Sequence, residues 1–488
     1  MFSLKSELKQ KRWDTSFFRI MFIVVMSLEM LAFIDLFMGA LKCFIVMWGL
    51  FIFINNFYNT RRFLKVDHKY IIFMFLLSMC ITAVVNFSVW FLPNIVLVYI
   101  NASYFFMFYG MHTETPHKKA EEEMVFLLKF FVWFGLICGF LSLCFVFLKN
   151  ETSVLGYYIG IYKNRLIGIY TNSNILAFSM IECIVAADIL STDYIKNKYK
   201  DKYLNNLVLV LAVIVSCICL FLSDSNASFL FLIIYSTIRV FCNLFFRRES
   251  SYLIKFIKSV VVTLSFCIVV MSVSFALRNI CQKYISEVIT GVYKQEQMME
   301  YNFENFKGDI MEELPEKQSE PGKSEKAEKN YDVSDFTIGR HESYDVSSGR
   351  ILLFKQGIKI FKHNPIFGVG RASLVSYGKK YIEGGLINLD LHNGYLTILV
   401  CYGIVGLAIF GLFSFVVAVD VCKHLFVCFN KPYYGVFVRI FSALVAYCGY
   451  CMFEKAILFD VTFMVGFFWS MLGYAVSYVH NFEKPVEK

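Results

Sequence analysis

The chain has 488 residues, of which 58% are hydrophobic and only 17% charged, with a mean hydropathy of +0.58 and a net charge of +9. A soluble globular protein is nearer half apolar and a quarter charged, so these values exclude an ordinary soluble fold and point to a bilayer as solvent. The positive balance is not a nucleic-acid signal, because most basic residues sit in short loops between apolar runs.

The first apolar run, from about Phe17, is too long for a signal-peptide core and lacks a small-residue cleavage site, so it reads as retained. A span needs roughly 20 mostly apolar residues. Twelve candidates start near Ser16, Leu41, Lys69, Phe91, Val125, Asn174, Asn205, Ala227, Lys255, Leu396, Tyr433 and Ala456. The expected fold is therefore an all-α polytopic membrane protein of about 12 transmembrane helices, with a long extracytoplasmic loop between helices 9 and 10. Helices 1–9 occupy residues 1–276, the loop 277–394, helices 10–12 residues 395–480, and a tail 481–488. The basic clusters Lys9/Lys11/Arg12, Arg61/Arg62/Lys65, Lys118/Lys119, Lys196/Lys198/Lys200/Lys202, Arg247/Arg248/Lys255 and Lys423/Lys431 then fall on one side. The positive-inside rule makes that side cytoplasmic and puts both termini there, in a cytoplasmic (plasma) membrane.

Three segments fall on the outer side: residues 149–171, the short "SDSNAS" at Ser223–Ser228, and the long loop. In the loop, residues 293–334 are rich in Glu, Lys, Ser and Gln and are expected to be disordered. Residues 347–371 read as an amphipathic helix with Ser348 as N-cap, apolar Ile351, Leu352, Phe354, Ile358 and Phe361 on one face, and Asn364-Pro365 and Gly368 as stops. Carboxylates inside spans are few: Glu29, Asp35, Glu182 and Asp188. Such groups are functional candidates, although a neutral, hydrogen-bonded carboxyl is an alternative for the deeper Glu29 and Glu182. Nearly all fifteen cysteines lie in apolar runs and read as small hydrophobes.

No GxxxxGK[ST], GxGxxG or HExxH is present, so no nucleotide, zinc or other cofactor is called for. Asp390 and His392 are too few to hold a metal. What remains is basic: Arg165 in the first outer loop, and Arg340, Arg350 and Arg371 in the long one, with His341, His363 and His392. A guanidinium fork matches phosphate oxygens, and Arg350 at a helix start gains from the helix N-terminus; pairing with loop carboxylates is the alternative. His392, just before an apolar run, suits a general base near neutral pH, or else an interface histidine bonded to backbone or water.

The stretches "SGRILLFKQGIKIFKHNPIFGVG" and "LHNGYLTILVCYGIVGLAIF", with "NRLIGIYTNSNILA" upstream, resemble the O-antigen ligase / O-antigen polymerase family of membrane glycosyltransferases. The resemblance covers roughly residues 165–406. It implies an extracytoplasmic site under the long loop and a donor glycan carried on a polyprenyl diphosphate, usually undecaprenyl diphosphate. The glycan moves to an acceptor sugar hydroxyl by inverting transfer, without nucleotide sugar or metal, in cell-envelope surface polysaccharide biosynthesis such as a capsule pathway. The expected partners are the lipid-linked donor, the glycan acceptor and the bilayer, with no nucleic acid. By the same resemblance His392 matches the essential histidine, Arg165 and Arg350 the diphosphate-binding arginines, and Arg371 a weaker third. Asp390 and Asn393 are possible orienting groups. One departure is Asn226, where the family often has an arginine in the short outer turn.

A transporter or flippase is the competing class; it predicts internal repeats, Gly/Pro-broken helices and critical charges at mid-membrane. No repeat is visible and prolines are nearly missing from the spans. A polytopic scaffold would tolerate loss of His392. Polymerase and ligase, which differ in acceptor, are not separated by these motifs.

Overall fold

The computed structural model of the chain describes residues 14–148, 153, 154, 156–200, 204–246, 252–312, 338, 349–386, 388, 390–458 and 461–483. A bilayer offers backbone polar groups no partner, so the long apolar runs fold as helices that bond to themselves. The first half contains α1 (Thr15–Leu28), α2 (Asp35–Asn55), α3 (Lys69–Val85), α4 (Phe91–Ser103), α5 (His117–Cys144), α6 (Ser173–Leu190) and the short α7 (Asp193–Lys198). The second half contains α8 (Asn206–Ser223), α9 (Asn226–Phe245), α10 (Tyr252–Glu312), α11 (Arg350–Phe361), α12 (Leu374–Tyr381), α13 (Gly394–Cys428), α14 (Tyr434–Tyr450) and α15 (Phe463–Glu483). Helix α4 continues through a π turn (Tyr104–Phe108) and a 3-10 turn (Tyr109–Thr113). The side chains of Asp14, Asn172, Asn205 and Asn393 cap α1, α6, α8 and α13.

Among the described residues eight helices are long and apolar enough to cross a membrane, and α1, α3 and α14 are shorter apolar helices. The all-α membrane class is thus borne out, while a count of twelve crossings requires α1, α3, α14 and α15 to be spans as well. The last of these begins at Phe463, not near Ala456, because the chain forms a loop over residues 451–458. Helix α15 sits at the centre. Its Trp469 is fully buried among Tyr104, Phe105, Phe413 and Phe468, and its indole donates to the Ile457 carbonyl at 2.6 Å. All fifteen cysteines are free.

Two expectations for the long loop change. Helix α10 does not stop at the loop boundary near residue 277 but runs unbroken for 61 residues, about 90 Å at 1.5 Å per residue. Residues 293–312, expected to be disordered, are helical. Their Glu, Lys, Gln and Met content resists burial yet favours helix, and no proline interrupts before Pro315. The rest of that segment, residues 313–334, lies outside the described residues. The amphipathic helix is shorter than 347–371: α11 spans only Arg350–Phe361, begins after Gly349 at φ 79°, and ends before Asn364-Pro365 as expected. The proposed N-cap Ser348 lies outside the described residues.

Helix α13 is broken once. Gly403 has φ 67° and ψ −168°, and the backbone groups freed by the break are taken up by residues 365–370 of the loop. The Val369 and Gly370 amides donate to the Val400 and Cys401 carbonyls at 3.1 and 2.8 Å. The Ile404 and Val405 amides donate to the Pro365 and Ile366 carbonyls at 2.9 and 3.2 Å. The apposition needs two glycines. A Cβ at Gly403 would stand 2.1 Å from the Ile366 carbonyl oxygen, and one at Gly368 (φ 70°) 2.4 Å from the Cys401 carbonyl carbon. A Gly-broken helix is what the transport reading anticipates, but here loop backbone closes the break.

Candidate functional site

Five segments distant in sequence meet at one end of the helices. The first is a β-hairpin of β3 (Gly160–Tyr162) and β4 (Arg165–Gly168). It follows a smaller hairpin, β1 (Ser153–Val154) with β2 (Tyr157–Tyr158). Lys163 and Asn164 form a two-residue turn with positive φ at both positions, the pattern that matches strand twist. Arg165 leaves this turn and donates through Nε to the Ser223 carbonyl (2.7 Å) and through a terminal nitrogen to Asn174 Oδ1 (2.9 Å). Asn174 lies in the first turn of α6, Arg350 opens α11, His392 precedes α13, and Glu454 follows α14. Arg165, Asn174, Asp390, His392, Glu454 and Lys455 line one cleft of about 540 Å³.

Glu454 is the hub. Its Oε1 accepts from Arg350 (3.0 Å) and Asn174 (3.2 Å), and its Oε2 faces His392 Nδ1 at 2.9 Å. A carboxylate only accepts, so the His392 proton sits on Nδ1. Nε2 is then the acceptor, and the Asn388 amide nitrogen stands 2.7 Å from it. An imidazole held in this tautomer presents the nitrogen a general base requires. The hydrogen bond to Glu454 raises the His392 pKa above the ordinary imidazole value, against burial. The charges of Glu454 and Asp390 add to the rise and that of Arg350 opposes it. His392 also adopts φ 46°, a left-handed conformation that costs of order 1–2 kcal/mol for a residue with a Cβ and is held by its surroundings.

Asp390 makes a second junction. Its Oδ2 meets Lys455 Nζ at 2.5 Å and Arg371 at 3.7 Å, and its Oδ1 accepts from the Leu391 amide. Asp390 therefore influences His392 by charge, while Glu454 holds the ring. Asn393 caps α13 by accepting from the Leu396 amide and donates to the Met452 carbonyl at 3.0 Å. Arg350 and Arg371 are not among the residues lining the cleft; each stands one carboxylate behind it. His363 stacks on Tyr381, away from the cleft. Arg340 and His341 lie outside the described residues. At the turn that carries Asn226, Arg278 of α10 donates to Asn226 Oδ1 (3.0 Å) and pairs with Asp224, so a cation from another helix stands there.

The intramembrane carboxylates divide. Glu29 borders the cleft and pairs with Lys42. Glu182 is fully buried, with Tyr447 donating to it at 3.4 Å. Asp188 accepts from Tyr235 (2.7 Å) and Arg239 (2.6 Å) and pairs with Arg439. The Asp35 side chain lies outside the described residues. Glu454, Lys455, Asn174 and Asn388 belong to the site but carried no sequence assignment. The available signal was a Glu-Lys pair between two apolar runs on the side that also carries His392.

No curated protein and no solved structure is significantly similar to the chain. The family description "O-Antigen ligase" matches residues 211–411, which contain Arg350, Arg371, Asp390 and His392 but neither Arg165 nor Glu454. Residues 211–411 are therefore similar to the O-antigen ligase family, the family that the sequence stretches above resemble.

Proposed function

We propose that the protein is an extracytoplasmic glycosyltransferase that moves a glycan from a polyprenyl diphosphate to an acceptor sugar hydroxyl. The observation that carries this reading is the continuous polar chain from Arg165 through Asn174 and Glu454 to His392 and Arg350, which links three separate sequence motifs at the cleft and directly behind its wall. His392 Nε2 removes the proton from the acceptor hydroxyl, a contribution of about 10²–10⁴-fold. The Asn388 amide occupies the place of that hydroxyl and gives way to it. The hydroxyl oxygen attacks the anomeric carbon, the bond to the diphosphate oxygen breaks, and one displacement inverts the centre.

Negative charge then grows on the leaving diphosphate. Arg165 and Lys455 meet it from the cleft wall, with Arg350 and Arg371 adding positive charge from behind Glu454 and Asp390. Arg278 supplies charge at the turn where Asn226 has none. In this reading the twelve apolar helices all cross the cytoplasmic membrane, the termini are cytoplasmic, and the cleft opens outward. The transport alternative is weaker, because loop backbone closes the break in the helix. His392→Ala and Arg350→Ala should each abolish polymer transfer while leaving the protein in the membrane. Full activity in both variants would end the assignment.

A further inference from the structure

The end of the helix bundle away from the cleft carries a polar pocket that glycosyl transfer does not use. It lies about 40 Å along α13 from His392, counting 1.5 Å per residue to Asp420. Helical spacing builds it. On α13, Val417, Asp420, Val421, His424 and Val427 recur at intervals of three and four residues and share one face. On α15, Val476, Val479 and His480 do the same. With Asp67 and His68 from the loop before α3, these side chains enclose about 640 Å³. Both helices start at the cleft, so Val417 and Val476 are their deepest contributions, and the charged groups lie nearer the mouth.

The pocket leads inward to a groove of a different kind. About 170 Å³ lies between α13, α14 and α15, lined by side chains that are almost all apolar, Phe410, Leu444 and Trp469 among them. Val417 and Val421 line both spaces, so the two meet there. From Val421 to Phe410 the groove follows 11 residues of α13, about 16 Å, close to one leaflet's share of a hydrocarbon core of roughly 30 Å. The groove does not continue into the cleft. The space between them, bounded by Tyr395, Lys455 and Ile457, is about 10 Å³, the least that a single water needs. Beside it the Tyr395 hydroxyl is fixed to the Cys448 carbonyl at 2.8 Å. A hydrocarbon chain in the groove therefore extends from the polar pocket and not from the cleft.

We propose that pocket and groove together bind one phospholipid with a zwitterionic head group, a phosphate plus a primary ammonium, and with one acyl chain in the groove. Lys423 lines the pocket, makes no ion pair among the described residues, and offers a point charge to the phosphate. Asp420 engages His68 through Oδ2 at 2.9 Å and stays 46% exposed, so it can also take the ammonium. Asp67, in contact with His480, stands on the same pocket. A purely anionic head group would set negative charge against both carboxylates, whereas a zwitterionic one satisfies both signs. In the topology proposed above the lipid belongs to the cytoplasmic leaflet. The site itself does not rest on the glycosyl-transfer reading and stands if that reading fails.

Of the five tryptophans, Trp469 lines the groove. The test uses the full-length protein in detergent with Trp13, Trp48, Trp90 and Trp133 changed to Phe, so that Trp469 alone fluoresces. Phosphatidylethanolamine brominated at mid-chain, which quenches a tryptophan it touches, should quench Trp469 saturably. Lys423→Ala and Asp420→Asn should each weaken that binding by about tenfold or more, as loss of a charge-assisted contact does. Phosphatidylglycerol with the same chains should bind at least tenfold more weakly than the phosphatidylethanolamine. If the fourfold variant does not fold, native mass spectrometry of the unchanged chain decides: one phosphatidylethanolamine stays on the wild type and is lost from Lys423→Ala, and equal retention by both overturns the proposal. No quenching of Trp469, or equal quenching by the two lipids that Lys423→Ala leaves unchanged, overturns it as well. Displacement of the brominated lipid by an equal concentration of undecaprenyl phosphate would do the same, by giving the groove to a polyprenyl chain.

Discussion

Replacing Glu454 by Gln removes one charge, keeps the shape, and reverses a single hydrogen bond. The amide oxygen still reaches Arg350 and Asn174, as Oε1 does now at 3.0 and 3.2 Å. The amide nitrogen then faces His392 Nδ1, where a carboxylate oxygen stood at 2.9 Å. An amide N–H donates, so the imidazole must move its proton to Nε2, the nitrogen that would otherwise accept from substrate. Recovering the working tautomer leaves the Nδ1 proton and the amide N–H facing each other with no acceptor between them, a cost of about 1–3 kcal/mol, which corresponds to about a 5- to 150-fold fall in kcat. Loss of the base altogether sets the ceiling at about 10⁴-fold. The pH profile moves as well. Glu454 now holds the His392 pKa above its ordinary 6.5, and the base works only when neutral, above that pKa. In the variant the pKa falls, so the acid limb of the rate profile shifts to lower pH while the plateau drops. The assay is polymer formation in membranes from a strain lacking the gene, with lipid-linked glycan extracted from that strain as donor. A plateau within twofold of wild type, with an unmoved acid limb, would refute the assignment of Glu454 and of the tautomer.

Gly403→Ala should destabilise the protein by more than about 4 kcal/mol, since its Cβ would overlap the Ile366 carbonyl at a left-handed φ; gel filtration and the thermal midpoint of the solubilised protein measure this, and a wild-type midpoint would count against the broken helix. Arg165→Gln should lower kcat/KM for the lipid-linked donor by about 10²–10³-fold, the typical loss of one charge-stabilising donor, and an unchanged value would remove Arg165 from the site. Glu182→Gln should keep activity within about threefold, because Glu182 bonds Tyr447 and lines no part of the cleft; a large loss would restore it as a functional group.

The helical skeleton was legible because bilayer solvation leaves one solution for a 20-residue apolar run. Starts near Ser16, Lys69, Phe91, Asn205 and Ala227 fall within a residue of α1, α3, α4, α8 and α9. The helical continuation of α10 past residue 292 was not, since polar composition reports solvation and not backbone conformation. His392 and the arginines were legible as types at an interface. Glu454 was not, for a physical reason. Its significance is a pairing across 62 residues, and nothing local distinguishes it from a surface carboxylate at the end of a helix. The same blindness hid Arg278, whose relation to Asn226 spans 52 residues.

What fixes the distance from His392 to Glu454 is a set of three bonds to main-chain carbonyls, one from backbone and two from side chains. The first amide of α13, on Gly394, donates to the Cys451 carbonyl at 2.8 Å, and Asn393 and Tyr395 donate to the Met452 and Cys448 carbonyls at 3.0 and 2.8 Å. The start of α13 is therefore docked onto the end of α14, and Glu454 follows two residues beyond Met452. Nine residues further on, the break at Gly403 is held by residues 365–370, whose own position is set by Asn86 on Gly368 and Asn94 on Ala372 and Ser373. The short helical segment bearing His392 is thus gripped at both ends by hydrogen bonds to main-chain groups. A rigidly held segment can keep an imidazole at the unfavourable φ of 46°, because relaxing that one residue would break bonds at the α14 dock. The "HNPIFGVG" and "CYGIVG" stretches accordingly contribute the support and not the chemistry. Their glycines are read by close backbone approach, and the histidine two residues ahead of the helix is what that approach positions.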